Sequence, residues 1–296
     1  MKILILSHSS SGNTSLVTRF AERRLARDGH EIITVKLPAT PPDPATFDLV
    51  GVFSPTMYFR PMVAVEAWLE RLQDQCEARI PTFLVATCAG EPGAHFEIQA
   101  TQLARKGLRV FAAHFIPMPS NWPPHRVLSA KIEPALPLGR LMCRGPLRPL
   151  RVALGFLWTE LTEPDERDRR EFEEFLDRLP KEAAAACPDV ARLYSAWLPG
   201  AKALGHRMTT REMRKATAVR IDPSTCKRCG SCAKACPSGT ITWPEREQPP
   251  VMGAGCTGCW ACYNACPHGA IAGWMSPPGK GRYPGPSRET CALFNH

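Results

Sequence analysis

Two copies of the pattern C-x2-C-x2-C-x3-C-P lie close together toward the C-terminal end of this 296-residue chain. The first is Cys226, Cys229, Cys232, Cys236 and Pro237; the second is Cys256, Cys259, Cys262, Cys266 and Pro267. Three cysteines at intervals of three require a tight irregular loop around one metal core, and the fourth falls on the helical turn that follows. The proline then stops that helix and turns the chain back. Such a set holds a cubane 4Fe-4S cluster, and the duplication implies two of them. Zinc fits poorly, because four-cysteine zinc sites are commonly built from two separated C-x2-C pairs rather than an even triplet. Of the thirteen cysteines, the other five (Cys76, Cys88, Cys143, Cys187 and Cys291) stand without ligand spacing and read as buried or incidental thiols. A formal G-x-G-x-x-G at Gly253, Gly255 and Gly258 contains Cys256 and does not open a helix after a strand, so it is no dinucleotide fingerprint.

The repeat extends beyond the cysteines. Aligning CKRCGSCAKACPSGTI with CTGCWACYNACPHGAI pairs Ala235 with Ala265, Gly239 with Gly269 and Ile241 with Ile271. The isoleucines are expected to cover the clusters and limit solvent access. Residues 218–275 resemble the bacterial two-cluster ferredoxins. That resemblance implies a crossed ligand set, in which the fourth cysteine of each motif serves the other motif's cluster. One cluster would then be held by Cys226, Cys229, Cys232 and Cys266, the other by Cys256, Cys259, Cys262 and Cys236.

The N-terminal part has a different rhythm. Apolar, β-rich runs at residues 2–7, 31–36, 48–54, 81–87 and 108–115 alternate with amphipathic stretches at 13–28, 61–76 and 93–107. Gly29 and Gly107 stand where helices end. Short buried strands alternating with helices predict an α/β fold, a doubly wound parallel sheet of five strands. Residues 117–164 are rich in proline and arginine and read as an irregular insertion; residues 163–179 read as an amphipathic closing helix. A helical stretch over 188–218 leads into the cysteine region, with a basic face of Lys202, Arg207, Arg211, Arg214, Lys215 and Arg220. Residues 276–296 read as an extended C-terminal tail.

The first strand runs into Ser9-Ser10-Ser11-Gly12-Asn13-Thr14 at the start of a helix. Backbone N–H groups at a helix N-terminus favour an anion, and hydroxyls add donors. No lysine follows the glycine, so this is not a Walker A loop. The pattern S-x-S-G-N-T at the end of the first strand resembles the FMN-phosphate loop of the flavodoxin family. The resemblance implies a flavodoxin-like doubly wound domain over residues 1–180. It also implies that the flavin ring is cradled by two further loops at strand ends. One is Pro55, Thr56, Met57, Tyr58 and Phe59, with Tyr58 or Phe59 stacking; the other contains Thr87, Gly90 and Gly93. The loop at 87–93 lacks the acidic, aromatic-flanked stretch of many flavodoxins, and the 117–164 segment is extra.

The expected organisation is therefore a flavodoxin-like domain (1–180), a helical linker (181–217), a small α+β two-cluster domain (218–275) and the tail (276–296). The formal charge of +9 falls to roughly +3 once two clusters and a flavin phosphate, each about −2, are included. That residue of charge suits acidic redox donor and acceptor proteins, whereas no nucleic-acid-binding module is visible. No apolar run reaches the ~20 residues that span a bilayer. Residues 3–6 are too short for a signal-peptide core, which predicts a cytoplasmic location. No catalytic dyad or nucleophile constellation stands out. The leading expectation is an electron-transfer protein with two 4Fe-4S clusters and FMN. Two rivals are an FMN-dependent reductase of a small acceptor, with Arg140, Arg144, Arg148 and Arg151 near the flavin, and an assembly or docking module whose flavodoxin domain is empty.

Overall fold

A computed structural model describes residues 1–74, 79–132, 163–183, 199–243, 245 and 247–295. Five strands form a parallel sheet: β1 (Lys2–Ser7), β2 (Glu31–Lys36), β3 (Leu49–Met57), β5 (Ile80–Cys88) and β6 (Leu108–Pro117). The two-residue β4 (Arg60–Pro61) pairs antiparallel with the end of β3. The order across the sheet is β2-β1-β3-β5-β6. This is the doubly wound order in which the chain reverses direction between β1 and β3, and ligands of such sheets bind beyond the strand ends at that point. Ile3 sits opposite Ile32 on one side and Leu49 on the other, which fixes the register at the centre.

Side chains alternate along each strand, so each face of the sheet has its own core. Ile3, Ile5, Leu49, Phe53, Phe83 and Val85 pack toward α1 (Asn13–Arg27), while Leu4, Leu6, Val50, Val52, Leu84 and Ala86 join α2 (Val63–Leu69) and α3 (His95–Arg105). The second core does not end with the sheet. It runs on through Met213 into Cys232, Trp260 and Tyr263, so the cysteine region is packed onto the α2/α3 side of the α/β domain.

Three expectations are revised. Residues 117–164 are not irregular throughout, because α4 (Pro123–Ile132) forms within them. Its prolines occupy the first turn, where a missing N–H costs nothing. Residues 133–162, with Cys143 and Arg140, Arg144, Arg148 and Arg151, lie outside the described residues, as do Cys76 and Cys187. The described part of the stretch over 188–218 holds two separate helices, α6 (Pro199–Arg207) and α7 (Thr210–Ala216). Thr209 separates them by capping α7 in a reciprocal box with Glu212. The helix expected over 163–179 is α5 (Glu166–Glu182), begun by an Asp165–Asp168 box and burying Phe172, Phe175, Leu176 and Leu179.

The tail is the third revision. It ends in a helix, α10 (Arg288–Asn295), whose Phe294 is fully buried in the α1/α5 core. Its ring meets Phe20 edge-on at 5.4 Å, and Arg23 of α1 donates to the Phe294 carbonyl. Gly and Pro dominate residues 277–286, and their composition masks the short amphipathic turn that follows. Phe294→Ala is expected to destabilise the α/β domain by about 3–5 kcal/mol, the usual cost of emptying a buried phenylalanine site. Chemical denaturation measures this; a loss below about 1 kcal/mol would return the segment to a surface tail.

Candidate functional site: two cysteine rings beside a phosphate-type loop

The cysteine region is a near-symmetric pair of half-sites. Short antiparallel pairs frame it: β7 (Arg220–Ile221) with β10 (Ile271–Ala272), and β8 (Ile241–Thr242) with β9 (Val251–Met252). Each motif contributes one short helix, α8 (Ser231–Ala235) or α9 (Ala261–Ala265). Gly230 and Trp260 precede them in the left-handed region, at φ 71° and 57°. Each helix ends at its fourth cysteine in nearly the same extended conformation, Cys236 at φ −74°, ψ 107° and Cys266 at φ −75°, ψ 108°. The duplicated sequence thus folds as a duplicated structure.

The chain crosses between the halves. One cavity is lined by Cys226, Cys229, Cys232 and Cys266, with Ile221 and Ile271 against it. The other is lined by Cys236, Cys256, Cys259 and Cys262, with Ile241 and Trp260. Among the described residues, no group of three or more His, Cys, Asp or Glu forms a site for a single metal ion. Four thiols around each cavity are the donor set of a 4Fe-4S core.

The two rings differ in their surroundings. Each ring has two buried cysteines, Cys232 and Cys266 in the first and Cys259 and Cys262 in the second, but Cys229 of the first is exposed whereas Cys236 and Cys256 of the second are half-buried. Burial pushes the Cys259 thiol up to about 11, and raises Cys262 further with help from the neighbouring Cys259, Cys256 and Cys236. Burial also raises Cys232, with Cys226 and Cys266 adding to it. These thiols must lose protons to bind metal, so cluster assembly and proton release are linked. Cys236 goes the other way. Burial raises it, but the Ser238 and Thr240 hydroxyls and nearby backbone N–H groups outweigh that and bring it down to about 7. Those hydroxyls lie 3.4 and 3.5 Å from its Sγ. On the other ring, the Ala270 N–H donates to Cys266 Sγ at 3.3 Å and the Arg228 N–H to Cys226 Sγ at 3.4 Å. Donors of this kind set how readily a cluster accepts an electron.

The loop Ser9–Thr14 lies at the C-terminal end of β1. Gly12 takes φ 95°, a conformation that costs glycine little, and its N–H donates to Ser9 Oγ at 3.1 Å. The first turn of α1 has no acidic side chain, and Ser9, Ser10 and Ser11 are half-buried. A long helix opening behind half-exposed hydroxyls is a setting that fits a phosphate. Asn13 and Thr14 are buried and structural: Asn13 accepts from Tyr283 Oη at 2.7 Å and donates to the Pro119 carbonyl, while the Thr14 and Thr87 hydroxyls pair at 2.8 Å. The last contact ties the first loop to the end of β5.

The ring-side loops are also at the strand ends. Tyr58 and Phe59 both have positive φ, 51° and 62°. Tyr58 is half-buried, meets Trp122 edge-on at 6.0 Å, and donates its hydroxyl to Met275 Sδ at 3.5 Å. Burial pushes its phenol up to about 12. The Phe59 carbonyl accepts from the Ala94 N–H at 2.8 Å, and a Cβ on Gly93 would stand 2.5 Å from that of Phe59. Thr56 Oγ1 lies 2.9 Å from His95 Nδ1, within a buried group completed by Ser54 and Gln99. Burial lowers His95 to about 3, so it is neutral. Pro55 is half-buried, and Met57, Thr87 and Gly90 are buried.

Asn121 joins the two halves of the site. Its Nδ2 donates to Ser10 Oγ at 3.1 Å and to the Cys259 carbonyl at 3.2 Å, while its own carbonyl accepts from Asn264. The phosphate-type loop and the buried cysteine ring thus share one side chain. Sequence reasoning missed Asn121 and Trp122 because they fall in the proline-rich segment. Their position just beyond the last strand of a doubly wound sheet was the signal that marks them.

Residues 218–267 match the family described as 4Fe-4S dicluster domain. That stretch is similar to the dicluster family, and the N-terminal part has a flavodoxin-like doubly wound topology. The strand order alone gives the topology of that part. Among solved structures, the chain is similar to a flavodoxin from the domain Archaea, with 15% identity, 39% of this chain and 83% of that one covered, and a TM-score of 0.33. The two-electron reduced flavodoxin of Megasphaera elsdenii gives 18% identity, 39% and 85% coverage and a TM-score of 0.34. A flavo di-iron protein of Thermotoga maritima gives 11%, 62% and 35%, and 0.36. No curated protein matches the chain by sequence. Among the described residues, no helix is long and apolar enough to cross a membrane.

Proposed function

We propose that this is an electron-transfer protein carrying two 4Fe-4S clusters and FMN. The reading is carried by Asn121, which links the buried cysteine ring to the phosphate-type loop. Cys226, Cys229, Cys232 and Cys266 would hold a cluster near the surface; Cys236, Cys256, Cys259 and Cys262 would hold one facing the α/β domain. FMN would be held at its phosphate by Ser9, Ser10, Ser11 and Gly12, with the buried Asn13 and Thr14 side chains fixing the loop, and by the loops of Tyr58 and Gly90 at its ring. Bound FMN supplies a redox centre able to exchange electrons with iron-sulfur clusters.

The residues supply direction and insulation. Exposure of Cys229 makes the first ring the face for partner proteins, and Ile241, Trp260 and Met252 exclude water from the second. The basic α6–α7 face suits an acidic partner, and a reducing cytoplasm suits thiolate ligands. Reduced anaerobically with dithionite, the holoprotein is expected to pass electrons to a one-electron acceptor protein such as cytochrome c. Protein that retains iron and flavin yet reduces no acceptor protein would sink this reading.

A further inference from the structure

A cavity of about 360 Å³ opens between the α/β domain and the cysteine region, on the β2/α2 side of the sheet. None of Ser9–Thr14, Tyr58 or Gly90 lines it, so it is separate from the loops assigned to the flavin. Its wall on the α/β side is apolar, from Leu37, Val63 and Ala64; the facing wall comes from the loops that carry Cys236 and Cys256. His8 lines it as well, 2% exposed, and neither ring nitrogen has a hydrogen-bond partner among the described residues. Arg71 and Arg214 stand at the mouth as exposed side chains, one from each side. Neither has an ion-pair partner among the described residues.

A buried imidazole with two unpaired nitrogens is costly to leave unsatisfied. Burial lowers it to about 4, so at neutral pH it is an uncharged donor and acceptor. It therefore selects a neutral hydroxyl or carbonyl, while the paired guanidinium groups at the mouth select an anion. The volume lies at the small end of ligand pockets, which run from about 300 to 1,000 Å³. We infer that this cavity binds a small organic carboxylate with an apolar body and a neutral hydrogen-bonding group at its far end. The carboxylate meets Arg71 and Arg214, and the neutral group meets His8. Through Ser238 and Thr240, which face both the cavity and Cys236 Sγ, such a molecule sits beside the buried cysteine ring.

The test is calorimetric titration of the anaerobic holoprotein with 4-hydroxybenzoate and its longer homologue 3-(4-hydroxyphenyl)propanoate. At least one is expected to bind once per chain. Its amide, which lacks the charge, and its analogue without the hydroxyl should each bind about tenfold more weakly or worse. Arg71→Gln and Arg214→Gln change exposed side chains and leave the fold alone, and each should weaken the carboxylate by a similar factor without weakening the amide. Three results would overturn the inference: no binding of either acid at millimolar concentration, affinity unchanged by both arginine substitutions, or displacement of the acid by FMN. The last would make the cavity part of the flavin site. Because binding is read directly, the outcome is independent of whether the chain transfers electrons.

Discussion

Cys266→Ala is expected to remove the cluster of the first motif while leaving that of the second, although Cys266 belongs to the second motif in sequence. Its side chain lines the cavity of Cys226, Cys229 and Cys232, not that of its sequence neighbours Cys259 and Cys262. Iron is expected to fall from roughly eight to roughly four per chain. Pairs of substitutions make the test sharper, because residues of one site do not add. Cys226→Ala with Cys266→Ala should cost no more iron than either alone, whereas Cys262→Ala with Cys266→Ala, two cysteines of one motif, should empty both sites. The reverse pattern would mean that each motif holds its own cluster. Metal binding is also folding energy in a domain this small, so the doubly emptied protein should lose its two-cluster region cooperatively.

Gly258→Ala is the second large effect expected. Gly258 lies between Cys256 and Cys259 at φ +67°, and a Cβ there would stand 1.7 Å from Thr217 Oγ1 and 2.5 Å from Thr217 Cβ. Thr217 is not free to yield: it is 1% exposed, and both its hydroxyl and its N–H donate to the Met213 carbonyl. A left-handed non-glycine residue costs about 1–2 kcal/mol and overpacking about 1–3 more, so the loop should be destabilised by about 2–5 kcal/mol. Because that loop carries half of the buried ring, its cluster should be lost first. Gly29→Ala is the control: its φ is +80° but nothing lies within 4 Å, so only the conformational cost applies. Iron content and denaturation midpoint measure both variants. If Gly258→Ala behaves like Gly29→Ala, the close approach to Thr217 is not a constraint.

The parts legible in the sequence were those whose chemistry forces a spacing. Cysteine intervals, the strand–helix alternation and the serine-rich turn after β1 each reflect a local rule, and each has its counterpart in the fold. Contacts made at long range left little local trace. Asn121 meets Ser10 and Cys259, separated from them by 111 and 138 positions. Tyr283 reaches Asn13 across 270 positions, and Phe294 reaches the α1 core from the last turn of the chain. Proline and glycine content predicted irregularity at both places, but Pro123 and Pro124 sit where a helix tolerates proline, and one buried phenylalanine suffices to anchor α10. The cavity at His8 was equally hidden, since its walls come from the turns after β1 and β2, from α2 and α7, and from both cysteine loops.

The most direct measurement is the content of iron, sulfide and flavin in protein purified without oxygen and then equilibrated with FMN. Roughly eight irons, eight sulfides and one FMN per chain are expected. Zinc as the main metal, or a full complement of iron with no FMN retained at micromolar concentration, would contradict this assignment.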